Sequence, residues 1–126
     1  IDAEAVRVAR RNAELAGVEA WIEFDRCDFQ EAPVPPSPGV VVLNPPYGER
    51  MGKLEPLQEL YRSIGDTFKR RYQGYRGYVF TGNADLAKAV GLKAKRRIPF
   101  FNTTIECRLL EYELYGGSRK RKPDPE

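Results

Sequence analysis

The chain has 126 residues, an apolar fraction of 41% and a formal net charge of +3, which fits one domain or part of one with a modest core. Its two cysteines, Cys27 and Cys107, lack the spacing of a disulfide framework or a zinc site, and it has no histidine. No apolar run approaches membrane-spanning length and no signal-peptide pattern opens the chain. We therefore expect a cytoplasmic protein with no metal and no membrane partner.

The first pattern is a helix. Asp2 is a favourable N-cap, small apolar residues then recur at helical spacing, and Gly17 is suited to ending the helix. The alternation in Trp21-Ile22-Glu23-Phe24 predicts a short strand, with Trp21 in the core or half-buried. A proline-rich stretch at residues 33–38 predicts a loop.

Strands and helices then alternate. The β-branched run Val40-Val41-Val42-Leu43 predicts a strand covered on both faces, as in a parallel sheet. Residues 54–71 have the periodicity of an amphipathic helix, and residues 78–81 predict another buried strand. Asn83 is placed to cap a short helix that ends near Gly91.

The final pattern, two alternating segments at residues 95–101 and 105–115, predicts an antiparallel hairpin at a sheet edge. The fold class is therefore α/β, a doubly wound, Rossmann-like sheet that ends in this hairpin. Because the first element is a helix and no G-x-G pattern occurs, we expect the N-terminal strands of the sheet to be missing. Residues 1–116 would form the C-terminal part of a domain, followed by a basic, disordered tail at 117–126.

Two basic runs, at residues 93–97 and 119–122, could meet phosphates. They could equally be a solvated strand entry and a solvated tail.

The motif Asn44-Pro45-Pro46-Tyr47 directly follows an apolar strand, where open α/β sheets bind ligands. The prolines stiffen the loop and leave the carbonyls of Asn44 and Pro45 free as acceptors, to which Asn44 adds a side-chain carbonyl. Such acceptors can hold the two hydrogens of a planar amino group, while the ring of Tyr47 offers a stacking surface. The motif therefore indicates methylation of an exocyclic or amide nitrogen by a sulfonium donor. The alternative is that the motif is only a stiff turn after the strand, with no catalytic role.

The extended motif Asn44-Pro45-Pro46-Tyr47-Gly48-Glu49-Arg50 resembles a known family, the bacterial large-subunit ribosomal-RNA guanine-N2 methyltransferases that carry an upstream THUMP domain. The resemblance covers nearly the whole chain, but only residues 44–50 are highly specific. Further matches to the family are Ile1-Asp2, Asn12-Ala13, Ala16-Gly17, Asp28, Leu60-Tyr61, Gly65, Asn102 and Ile105-Glu106-Cys107.

The resemblance implies S-adenosyl-L-methionine as cofactor and ribosomal RNA as partner, with the rest of the catalytic domain and a THUMP domain outside this chain. Asp28 would accept a hydrogen bond from the adenine amino group and Phe29 would present its backbone nitrogen, although Asp28 alone fits a loop cap. The implied sets of residues are: catalytic, Asn44, Pro45, Pro46 and Tyr47; cofactor-binding, Asp28, Phe29, Asn44 and Asp2; substrate-binding, Tyr47, Glu49 and Arg50.

Other functions fit the same motif. Adenine N6 in DNA and the glutamine side chain of a protein factor are also planar amino groups, so the motif chemistry does not separate them from guanine N2. A different class of protein would be a non-catalytic nucleic-acid-binding fragment that uses its basic tail. Glu49 and Arg50 could contact RNA or fix the loop by ion pairing.

Overall fold

The computed structural model describes residues 2–47 and 54–115, and these residues divide between two compact units, 1–33 and 34–126. The predicted RNA-contact residues Glu49 and Arg50 and the predicted tail at 117–126 lie outside the described residues. None of the helices in the described ranges is long and apolar enough to cross a membrane.

The first unit contains the predicted helix, α1 (Ala3–Ala16). The Asp2 carboxylate accepts a hydrogen bond from the backbone N–H of Glu4 at 2.9 Å, which satisfies one of the helix's free donors. Gly17 ends the helix in the left-handed conformation, with φ of 76°, and its N–H donates to the carbonyls of Ala13 and Glu14. Both predicted helix ends are confirmed.

The strand predicted at residues 21–24 is wrong. Glu19–Trp21 is a single 3₁₀ turn, closed by the Trp21 N–H donating to the Val18 carbonyl at 2.9 Å. Trp21 is 85% exposed, so it is neither core nor half-buried. Ile22 has extended backbone angles, but the segment is not part of the four-stranded sheet. An alternating sequence forms a β-strand only where a neighbouring strand hydrogen-bonds to it.

The second unit is a four-stranded sheet with two helices. Its elements are β1 (Gly39–Leu43), α2 (Leu54–Arg71), β2 (Tyr75–Thr81), α3 (Ala84–Ala89), β3 (Arg96–Asn102) and β4 (Ile105–Glu113). The strand order is β1-β2-β4-β3. β1 and β2 are parallel, whereas β4 is antiparallel to both β2 and β3. The predicted α/β class and the closing hairpin are confirmed, with β3 at the sheet edge.

The core lies between α2 and one face of the sheet. Phe68 of α2 is fully buried, and its ring meets Tyr112 edge-on with centroids 6.2 Å apart. A Cβ at residue 77 would lie 2.7 Å from the Phe68 ring, so Gly77 gives the helix room to approach β2. Gly77 and Tyr112 are register partners, which places both on the face covered by the helix.

β1 is covered on one face only, which corrects the prediction of a strand buried on both faces. Val41 is paired with Gly77 and therefore shares the face that α2 covers. Val40 and Val42 alternate to the other face and are 57% and 62% exposed. β1 is also an edge strand, with β2 as its neighbour in the described sheet. A continuous β-branched run alone therefore does not establish two-sided burial.

Gly65 of α2 provides a test of this packing, because a Cβ at that position would overlap the carbonyl oxygen of Val90, the C-cap residue of α3. Ala normally stabilises a helix interior by about 1 kcal/mol relative to Gly. We expect Gly65→Ala instead to lower the free energy of unfolding by about 1 to 3 kcal/mol, because one of the helices must move. Urea unfolding followed by circular dichroism measures the change.

Asp66→Ala is the matched control, since Asp66 is an exposed neighbour on the same helix and its replacement should change stability by no more than about 0.5 kcal/mol. A Gly65→Ala protein more stable than the parent would show that α2 and α3 are not in close contact at this point.

Candidate active site

The motif Asn44-Pro45-Pro46-Tyr47 begins at the residue after β1. Because β1 and β2 are parallel, with Leu43 paired to Val79, their carboxyl ends lie at the same edge of the sheet. Beyond this pairing β2 continues through Phe80 to Thr81, and Gly82 follows the strand, so Thr81 and Gly82 lie at the edge where the motif begins. This edge is where open α/β sheets bind their ligands.

Tyr61 of α2 connects the motif to β2. Its hydroxyl donates to the Pro46 carbonyl oxygen at 3.0 Å and lies 2.9 Å from the Thr81 hydroxyl oxygen. Since the single phenolic hydrogen is used on Pro46, Thr81 donates to the Tyr61 oxygen, and Thr81 in turn accepts from the Asn83 N–H at 3.2 Å. The chain of hydrogen bonds fixes the motif loop to the end of β2.

Burial raises the pKa of Tyr61 above its ordinary value of 10.0, although the Thr81 hydroxyl lowers it in part. The phenol is therefore neutral through the physiological pH range and keeps the hydrogen that it donates to Pro46. Tyr61 is fully buried, so this donor is also shielded from exchange with water.

Tyr47 packs against the backbone of Gly82. A Cβ at residue 82 would lie 2.8 Å from the Tyr47 ring, so the absence of a side chain makes space for it. The Tyr47 hydroxyl lies 3.9 Å from the sulfur of Cys107, which is buried. Part of the Tyr47 side chain remains accessible, as stacking against a flat substrate requires.

The remaining acceptors of the motif receive no hydrogen bond from the residues that the structure describes. Asn44 is exposed, and within the described ranges no donor is bonded to its side-chain carbonyl or to the backbone carbonyls of Asn44 and Pro45. Pro46 differs, because Tyr61 occupies its carbonyl. The loop therefore presents the acceptors of Asn44 and Pro45, while the bond from Tyr61 to Pro46 holds it in place.

The predicted cofactor residues Asp2, Asp28 and Phe29 belong to the first unit. Asp28 caps the 3₁₀ turn Phe29–Glu31, and its Oδ1 accepts from the Gln30 N–H at 2.7 Å. The loop-cap interpretation of Asp28 is thus observed, but it uses one carboxylate oxygen. Asp28 is exposed, and Oδ2 accepts no hydrogen bond from the described residues. Asp2 caps α1 in the same manner.

Sequence reasoning missed Tyr61, Thr81 and Gly82 as parts of this site. A signal existed for Tyr61, since a hydroxyl on the buried face of an amphipathic helix needs a hydrogen-bond partner. No comparable pattern marked Thr81 or Gly82, because their roles depend on which strand pairs with β1. Across residues 2–47 and 54–115 there is no cluster of three side chains suited to holding a metal ion.

The parallel β1–β2 pair, the closing antiparallel hairpin and the motif at the strand end are the features of a class I methyltransferase domain. The chain belongs to the family described as RMKL-like, methyltransferase domain, whose model matches residues 1–111.

Among curated relatives, the chain is 41% identical over 117 residues to the ribosomal RNA large subunit methyltransferase K/L of Syntrophotalea carbinolica, covering 90% of this chain and 16% of that protein. It is 39% identical over 114 residues to a putative RNA methyltransferase of Synechocystis, covering 90% and 30%. The chain thus spans less than a third of the length of each relative.

A solved structure, SMU.472, a putative methyltransferase complexed with SAH, superimposes with a TM-score of 0.80 and 27% identity. The superposition covers 93% of this chain and 30% of that one. The similarity in fold therefore extends over nearly the whole of the present chain.

The Tyr61 bond to Pro46 gives a prediction about stability and pH. Replacing Tyr61 with Phe removes a buried hydrogen bond and should lower the free energy of unfolding by about 1 to 2 kcal/mol at neutral pH. Because the pKa of Tyr61 is raised in the folded state, the stability that this group contributes should be fully present below about pH 10 and be lost as pH rises further. Burial also raises the pKa of Tyr112 to about 12, so both tyrosines contribute in this alkaline range.

Urea unfolding at a series of pH values measures both effects. Tyr61→Phe should weaken the alkaline decline, whereas Tyr115→Phe, at an exposed position, should change neutral-pH stability by no more than about 0.5 kcal/mol. If the free energy of unfolding fell equally steeply above about pH 10 in the parent and in Tyr61→Phe, the role given to the Tyr61 hydroxyl would be contradicted.

Proposed function

We propose that the full-length protein is an S-adenosylmethionine-dependent RNA methyltransferase that methylates the exocyclic N2 of a guanine in large-subunit ribosomal RNA. The observation that carries the proposal is the motif loop, which Tyr61 fixes at Pro46 while no described residue donates to the acceptors of Asn44 and Pro45. The name of the Syntrophotalea relative supports ribosomal RNA as the substrate class. Such an enzyme would act in the cytoplasm, and we propose that a THUMP domain lies elsewhere in the same protein, as in the family that the motif resembles.

The acceptors suit the chemistry of an aromatic amine. The lone pair of such a nitrogen is delocalised into the ring, which makes it a poor nucleophile. Hydrogen bonds from its two N–H groups to Asn44 and Pro45 would favour the positive charge that develops as the nitrogen becomes tetrahedral. When bound, the sulfonium donor would supply the methyl group: the N–C bond would form as the C–S bond breaks, the electron pair would stay on sulfur, and the nitrogen would lose one proton to water.

The first unit fits the adenosine part of the cofactor. Asp28 Oδ2 is an exposed acceptor that can take a hydrogen bond from the adenine amino group, while Oδ1 keeps the 3₁₀ turn in place. Asp2 and the backbone of Phe29 complete the proposed set. S-adenosylmethionine supplies, when bound, a methyl group already activated by the sulfonium charge. The residues of this chain therefore need to orient and stabilise, and no histidine or metal is required.

Label transfer from S-adenosylmethionine tests the substrate. We expect the full-length protein, given undermethylated large-subunit RNA, to place label on the N2 of guanine, identified by nucleoside chromatography and mass spectrometry. In parallel reactions that contain DNA or a protein factor in place of the RNA, label on adenine N6 or on a glutamine side chain would overturn the guanine assignment. Absence of any transfer would overturn the catalytic assignment.

Two variants in the same assay separate the roles of the two units. Asn44→Ala should lower kcat by about two orders of magnitude, because it removes an acceptor used in the transition state, and should leave cofactor affinity nearly unchanged. Asp28→Ala should weaken cofactor binding, measured by calorimetry. Asp85→Ala, at an exposed position outside the proposed site, is the control. An unchanged rate in Asn44→Ala would refute the acceptor role.

A further inference from the structure

The second unit, which contains the four-stranded sheet, also has a groove beside the motif. This groove has no role in the proposed chemistry. It has a volume of about 660 Å³ and lies between α3, the loop that follows it, and β3 and β4. The β4 residues that line it are Glu106, Arg108, Leu110 and Tyr112, which alternate along the strand and so share one face. We propose that this groove binds the phosphate backbone of the RNA strand next to the target nucleotide. The proposal rests on the proposed function and adds the path of its substrate.

The groove is strongly basic. Four cationic side chains line it, Lys88, Lys93, Arg97 and Arg108, against one carboxylate, that of Glu106. Glu106 lies 3.8 Å from Arg108 and offsets that charge. In the part of the chain that the structure describes, no acidic side chain lies within 4.0 Å of the charged groups of Lys88, Lys93 or Arg97. Three exposed cations therefore remain available to an anionic ligand.

The basic run at residues 93–97 divides between two roles. Lys95 pairs with Glu113 at 3.7 Å, and Arg96 pairs with Glu111 at 2.6 Å. Glu111 is almost fully buried, so the charge of Arg96 serves the sheet itself. Lys93 and Arg97 are the basic members of the run that line the groove. The phosphate contact predicted as one alternative for this run is therefore proposed for Lys93 and Arg97, whereas Lys95 and Arg96 make ion pairs with β4.

The walls of the groove suit a polymer with spaced charges. Small side chains and glycine form much of the lining, including Ala84, Ala87, Gly91 and Ala94. The cations come from α3, the loop and both strands of the hairpin, so they are distributed around a groove much larger than one phosphate. Phosphates repeated along a nucleic-acid strand match such a distribution, and their contacts supply affinity and orientation without sequence specificity.

The groove adjoins the motif through Thr81 and Gly82, which are also lining residues. The Thr81 hydroxyl is bonded to Tyr61, which holds Pro46, and Gly82 is the backbone against which Tyr47 packs. A strand bound in the groove would therefore place a neighbouring nucleotide close to Tyr47. This arrangement would let a base leave its stack while the flanking backbone stays bound.

The test compares two charge-matched double variants of the full-length protein. Lys93→Gln with Arg97→Gln removes two groove charges, and Lys69→Gln with Arg70→Gln removes two exposed charges at the end of α2. We expect the groove variant to bind a large-subunit RNA fragment roughly tenfold more weakly, with a correspondingly higher KM for RNA. Its slope of log affinity against log salt should fall by about 1.4, at about 0.7 per lost contact to a single strand.

Cofactor affinity, measured by calorimetry, should be the same in both variants and in the parent, which also shows that the groove variant is folded. Lys88→Gln, at an exposed helix position, is a second groove variant that should weaken RNA binding in the same direction. Equal RNA affinities in the groove and α2 variants would overturn the groove inference while RNA methylation by the parent still stands. A parent that methylates no RNA would instead overturn the proposed function.

Discussion

The hydrogen bond from Tyr61 to the Pro46 carbonyl is the interaction on which the candidate active site depends. A loop with two prolines cannot be held through their backbone N–H groups, because proline has none. The two prolines can therefore be held only through their carbonyls or side chains. Tyr61 uses the third carbonyl of the motif for this purpose, which leaves the first two residues to a ligand. The donor remains protonated because burial raises the pKa of the phenol.

Tyr61 can reach Pro46 because α2 lies close against the sheet. Because Gly77 has no side chain, the ring of Phe68 on α2 packs directly against β2. Because Gly65 has no side chain, the Val90 carbonyl packs directly against α2. Gly82, after the end of β2, likewise leaves space for the ring of Tyr47. Close approach at these glycines therefore links the packing of the second unit to the position of the motif loop. Changes far from the motif can act on it through α2.

The fold was largely predictable from local signals. Asp2, Gly17 and Asn83 mark helix ends by hydrogen bonds made within a few residues, and all three lie where the patterns predict. The predictions that were wrong depend on contacts with residues distant in the sequence. Whether residues 21–24 form a strand, and whether Val40 and Val42 are buried, depends on neighbours that a local pattern does not specify. The same holds for the site, where the motif was evident but its contacts to Thr81 and Gly82 depend on which strand pairs with β1, and its contact to Tyr61 on how α2 packs against the sheet.

The central claim is that a fixed loop offers Asn44 and Pro45 to an amino group. The most direct test is a crystal structure of the full-length protein with S-adenosylhomocysteine and an RNA fragment that contains the target guanine. We expect the guanine N2 at about 3 Å from Asn44 Oδ1 and from the Pro45 carbonyl oxygen, with Tyr61 still bonded to Pro46. A guanine amino group turned away from both acceptors, or a Pro46 carbonyl released from Tyr61 to bind it, would contradict the claim.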